Sequence, residues 1–171
     1  MVKLKLEKLT FENWLEPNSI MSMFNIRNSD RTLRIKTAKE WFEDIYKIKL
    51  SKKVPGEIYD LFEVARGTMT YGYFYYPIYS LAAEQFCRIA ETAISLKCQS
   101  LNMPSTKRSF QRKIEWLSKE LEFTKMDIVK WNAIRDLRNI FSHPKAQFLK
   151  LPGQAVNSMN ITARLINQLF K

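Results

Sequence analysis

Residues 78–98 read IYSLAAEQFCRIAETAISLKC, a run without proline or glycine and with apolar side chains on almost every flank. A helix that is apolar nearly all round is stable only when other elements surround it, so this segment predicts the central helix of a bundle. Its polar members Glu84, Arg88, Glu91 and Ser95 recur at helical spacing and form one line along the cylinder. Two readings of that line stand side by side. It faces a cleft, with carboxylates supporting an arginine, or it is an ion-pair network between helices.

Outward from this helix the pattern stays helical. Pro77 sits where the segment begins, a position proline tolerates. Upstream, EIYDLFEVARGTMTYGYFYY (57–76) predicts a long helix, and SKKVPGE (51–57) a boundary before it. Downstream, KRSFQRKIEWLSKEL (107–121) predicts a further helix. Thr124 and Asp127 make a start like a capping box for KMDIVKWNAIRDLRNIFS (125–142). QAVNSMNITARLINQLF (154–170) closes the chain with apolar residues at 155/156, 159, 163, 166 and 169/170. The first 54 residues predict a short helix within Thr10–Phe24, a polar joint NIRNSDR (25–31) and an amphipathic piece TAKEWFEDIYKIKL (37–50). The expected fold is therefore all-α: a helical bundle over residues 55–171 behind a helical N-terminal extension, residues 1–54. With 4 glycines and 6 prolines in 171 residues, the composition favours helices over many short strands joined by turns.

No stretch approaches a membrane span: the most apolar part, TYGYFYYPIYSLAAEQF (70–86), is full of tyrosines and soon meets Arg88. MVKLKLEKLTFENW (1–14) lacks the apolar core of a signal peptide. Cys87 and Cys98 lie on one helix, where geometry forbids a mutual bridge, so buried reduced thiols and a cytoplasmic setting are expected. The net charge of +11 is unevenly placed. Residues 55–100 carry 3 Lys/Arg against 5 Asp/Glu, whereas residues 101–171 carry 13 against 5. Such a segregated excess points toward a polyanionic partner as well as toward solubility.

The helix over 125–142 has two apolar flanks. Met126, Val129, Ala133, Leu137 and Ile140 form a stripe suited to the bundle core, while Trp131, Ile134 and Phe141 form a second line that also holds Arg138. Two flanks need two partners: the bundle is one, and a second subunit could be the other. At its end stands RNIFSHP (138–144), with the single histidine of the chain. On a straight helix five residues turn through about 500°, which leaves Arg138 and His143 roughly 140° apart. Pro144 disfavours helical backbone for the residue before it, so His143 should mark the helix end and be free to swing toward the arginine. Asn139, four residues before the histidine, is placed to orient the ring.

An imidazole exchanges protons near neutral pH, and a guanidinium fork matches phosphoryl oxygens. Together they suit metal-free RNA cleavage, in which the ribose 2′-hydroxyl attacks the adjacent phosphorus. With one histidine and both cysteines on one helix a zinc site is not expected, and there is no Gly-rich phosphate loop. No cofactor is called for.

RNIFSH, late in an α-helical bundle, resembles the arginine, polar residue, three variable residues, histidine pattern of the HEPN domain superfamily (higher eukaryotes and prokaryotes nucleotide-binding). The similarity covers roughly residues 55–171. It implies a metal-independent endoribonuclease working as a homodimer with two motifs in one cleft, in the setting of toxins or anti-phage effectors. It also implies Arg138 and His143 as catalytic residues and Asn139 as the polar orienter. Some relatives of this kind only bind or scaffold a partner protein or RNA, and that alternative stays open. HEPN toxins paired with nucleotidyltransferase antitoxins have a tyrosine two places after the histidine. Here Lys145 stands there, which speaks against that mode of control by an antitoxin.

Glu84, Arg88 and Glu91 are the candidate cleft supports, Glu84 foremost. Lys107, Arg108, Arg112 and Lys113 in TKRSFQRK, with Lys145 and Lys150 past the motif, are candidate contacts to an RNA backbone. TYGYFYYPIY (70–79) has six aromatics between Tyr71 and Tyr79, which suit base stacking or, more commonly, packing at a helix–helix corner.

Overall fold

The computed structural model describes residues 7–23, 25–104, 109–142 and 149–171. Among them the architecture is an all-α bundle: α1 (Ala38–Tyr46), α2 (Gly56–Tyr71), α3 (Ile78–Ser100), α4 (Phe110–Glu120), α5 (Lys125–Ser142) and α6 (Pro152–Leu169). α3 is the hub, packed against α2, α4, α5 and α6. Eleven of its residues are buried, among them Tyr79, Phe86, Cys87, Ile94 and Cys98. Both cysteines are free and buried, and burial pushes both thiols up to about 11, so they stay protonated packing groups at neutral pH.

Local chemistry sets several helix ends. Thr37 starts α1 through a reciprocal box: the Glu40 amide donates to its hydroxyl at 3.3 Å, and the Thr37 amide donates to the Glu40 carboxylate at 2.9 Å. The Arg112 amide donates to Ser109 Oγ at 3.3 Å at the start of α4. At α5 the Asp127 amide donates to Thr124 Oγ1 at 3.1 Å, but the Asp127 carboxylate takes the threonine hydroxyl rather than a backbone amide, its side chain being one methylene too short for the full box.

α2 stops at Tyr71 rather than running to Tyr76. A Cβ on Gly72 would lie 2.3 Å from the Tyr79 ring, so the corner between α2 and α3 closes only around a glycine. Half of the aromatics of that corner are packing groups, whereas Tyr71 is exposed. Tyr73, Tyr76 and Tyr79 are buried, Tyr73 Oη donates to the Lys36 carbonyl at 3.0 Å, and Trp41 meets the Tyr79 ring edge-on at 5.6 Å.

That corner also anchors the N-terminal residues. Ile20, Met21, Trp41, Ile45, Leu50 and Val54 belong to the same core cluster as the bundle helices. Arg66 of α2 lies buried with its guanidinium 4.1 Å from the Tyr46 ring, donates to the Ile48 carbonyl and pairs with Glu63. Asn167 of α6 accepts from the Ser51 amide at 2.7 Å and donates to the Lys49 carbonyl at 3.0 Å. Residues 18–21 and 36–54 are thus sewn into the bundle.

Two local expectations differ from the structure. The helix sought within Thr10–Phe24 is a short 3-10 turn, Ser19–Met23. The polar joint forms an antiparallel hairpin, β1 (Asn25–Arg27) with β2 (Leu33–Ile35). Its turn is held by side chains: the Thr32 amide donates to Asp30 Oδ1 at 2.9 Å, and Arg31 takes a left-handed φ of 68°. Asn and Asp favour such turns, and the strands beside this one are too short for a visible alternation.

Candidate active site

α5 is rolled about its axis relative to the sequence expectation. Most of the stripe assigned to the core is the solvent face: Met126 is 60% exposed, Val129 61% and Ile140 55%, whereas Leu137 packs against the core as expected. The line assigned to a second partner is the one that enters the bundle, with Trp131 only 2% exposed and Ile134 buried. The Trp131 ring stacks on Phe123 with centroids 6.5 Å apart. Periodicity allows both flanks. The larger apolar area of the indole decides between them, because burying it stabilises more than burying Val129 or Ile140.

This roll positions Arg138. It lies one turn beyond Ile134 on the inward line, and its side chain is 35% exposed. Its Nε donates to Glu91 Oε2 on α3 at 2.8 Å. Its two Nη groups have no protein acceptor among the described residues, so the guanidinium is held at one nitrogen and open at the others.

The polar line of α3 fastens its neighbours. Glu84 pairs within the helix, taking Arg88 Nη2 at 2.7 Å and Nε at 3.1 Å. Glu91 reaches α5 through Arg138, and Ser95 reaches α4 by accepting from Lys113 Nζ at 2.8 Å. Glu91, not Glu84, is therefore the carboxylate that supports the motif arginine.

Other candidates fall differently. His143 follows directly in sequence on Ser142, the last residue of α5, but His143, Lys145, Lys107 and Arg108 lie outside the described residues. Asn139 is exposed, and its side chain makes no hydrogen bond among them. Arg112 is exposed on α4. Lys113 and Lys150, expected as free phosphate contacts, are engaged internally. Lys113 is taken by Ser95, and Lys150 is buried with Nζ donating to Ser158 Oγ at 3.2 Å and lying 5.8 Å from the Phe141 ring centre. Burial lowers the pKa of the Lys150 ammonium. The Lys150 amide donates to Ser80 Oγ at 2.8 Å, which ties the chain after the motif to α3. A lysine's long apolar stem makes such burial compatible with an outward-looking sequence pattern.

Among the described residues no group of three or more His, Cys, Asp and Glu side chains is placed to hold a metal ion, and no helix is long and apolar enough to cross a membrane. Comparison of the chain with protein families, with curated proteins and with solved structures finds no match.

Proposed function

We propose that this protein is a metal-independent endoribonuclease of HEPN type that acts as a homodimer. The observation that supports it is Arg138 held by Glu91 at the end of α5, with both Nη groups open among the described residues, five residues before the single histidine. In this reading the Nη groups bind the non-bridging oxygens of a phosphodiester and stabilise charge that builds there. One His143 takes the proton of the ribose 2′-hydroxyl as its oxygen attacks phosphorus. The His143 of the second subunit, protonated, gives its proton to the departing 5′-oxygen. A 2′,3′-cyclic phosphate and a 5′-hydroxyl result. The biological setting belonging to this reading is a cytoplasmic toxin or anti-phage effector under the control of an antitoxin or other regulatory protein.

The solvent face of α5 supports the dimer. Met126, Val129 and Ile140, with Ala133 between, make an apolar strip along an 18-residue helix. Unpartnered strips of this kind mark interaction surfaces. The same strip is the feature that favours a non-catalytic binding or scaffold module as second reading, with the strip taking a partner protein. Val129→Asp combined with Ile140→Asp is expected to convert the dimer to a folded monomer by light scattering and to abolish cleavage with it. An unchanged mass would place the interface elsewhere.

The direct test is incubation of the purified protein with mixed RNA in excess chelator. Cleavage with cyclic-phosphate ends is expected, and intact RNA at every protein concentration would refute the enzyme. Glu91→Gln keeps an acceptor for Arg138 Nε but loses the charge, and is expected to cut the rate by about tenfold or less, while Glu91→Ala costs about 10- to 100-fold. Either change should move stability by under about 1 kcal/mol, because the pair is partly solvated. Equal rates for both variants and the unaltered protein would deny Glu91 its positioning role.

A further inference from the structure

We propose that α4 carries a subsite for single-stranded RNA, in which an unpaired base stacks on Trp116 while Arg112 and Lys119 hold the flanking phosphates. The choice of RNA as ligand rests on the proposed ribonuclease activity; the site itself rests on separate observations. Arg112, Trp116 and Lys119 are spaced by four and three residues, so they share one helix face with the indole between two cations. Together with Glu115 they line a cleft of about 190 Å³.

Trp116 packs one side against the core and remains half-buried, which gives a rigid platform with an open face. The side chains of Arg112 and Lys119 are exposed and make no hydrogen bond or ion pair among the described residues, in contrast to Arg34, Arg66, Arg88, Arg135 and Arg138, which all pair with carboxylates. The Glu115 carboxylate accepts from Gln111 Nε2 at 2.8 Å and pairs with neither cation. The remaining tryptophans are unsuited: Trp41 and Trp131 are buried, and Trp14 is flanked in sequence by Glu12 and Glu16.

Position favours the same conclusion. Lys113 ties the first turn of α4 to Ser95, one turn along α3 from Glu91, the residue that holds Arg138. The two attachment points are about 6 Å apart along the α3 axis. The first turn of α4, next to Arg112, and the proposed cleavage arginine are therefore anchored one turn apart on the same helix. A stacked base needs no sequence-specific contact, so the site selects unpaired strands rather than a sequence.

The test is fluorescence anisotropy with a labelled 2′-O-methyl oligonucleotide of about twelve residues, which cannot be cleaved by 2′-hydroxyl attack and so reads binding alone. Trp116→Ala is expected to weaken binding about tenfold, Trp116→Phe to recover most of it, and both to bind an abasic strand as the unaltered protein does. Arg112→Gln with Lys119→Gln, both at exposed positions, should make the slope of log K against log salt concentration shallower by about 0.7 for each phosphate no longer neutralised. Equal affinity in the unaltered protein and Trp116→Ala, an equal loss on the abasic strand, an unchanged salt slope in the double variant, or no binding by the unaltered protein would each overturn the subsite. Binding of this kind without cleavage of ordinary RNA would leave the subsite standing and remove the nuclease. Cleavage with no effect of Trp116→Ala on affinity would do the reverse.

Discussion

His143→Ala is expected to lower RNA cleavage in chelator by about 10²- to 10⁴-fold, the range that a positioned proton donor and acceptor contributes. Arg138→Ala is expected to cost about 10²- to 10³-fold, as removal of a fixed donor to a developing oxyanion does. Arg138→Lys should recover only part of this, since an ammonium keeps the charge but not the fork that binds two oxygens while Nε stays on Glu91. Fold and the proposed dimer should survive both Arg138 changes, because Arg138 is partly exposed and its partner Glu91 is as well. Rates from single-turnover cleavage of a defined oligonucleotide, with circular dichroism and light scattering on the same samples, check each part. Undiminished cleavage by His143→Ala would mean a different catalytic site or a contaminating nuclease.

Trp131→Ala is expected to destabilise the protein by about 3–5 kcal/mol, the cost of removing a buried indole. The ring is 2% exposed, stacks on Phe123 and lies at the junction of α5 with α3 and α6. For a chain of this size that corresponds to a drop of roughly 6–20 °C in Tm. Loss of activity in this variant follows from unfolding, whereas loss of activity in Val129→Asp with Ile140→Asp follows from dissociation. Denaturant unfolding separates the two. A Trp131→Ala protein within about 1 kcal/mol of the original, yet monomeric, would show that α5 presents its tryptophan face to a partner.

Much of the bundle was legible in the sequence because its signals are local. Pro77 before Ile78, Thr124 with Asp127, and the apolar recurrence Ala155, Met159, Ala163, Ile166 and Leu169 each mark an element without reference to the rest of the chain. The hairpin was not legible, since strands of three residues are too short to show a period of two. The corner glycine was equally silent: only the Tyr79 ring, folded back over Gly72, makes a side chain there impossible.

What the sequence by itself determined is which residues share a helix face: Glu84, Arg88, Glu91 and Ser95 on α3, and Trp131, Ile134 and Arg138 on α5. Only the tertiary structure decided which face turns inward and which partner each side chain meets. It sent Trp131 into the core and Val129 to solvent, gave Arg138 to Glu91 rather than Glu84, and drew Lys113 and Lys150 into internal bonds. The physical reason is that periodicity is a property of one helix, whereas burial and ion pairing are settled by competition among neighbours for the same limited interior.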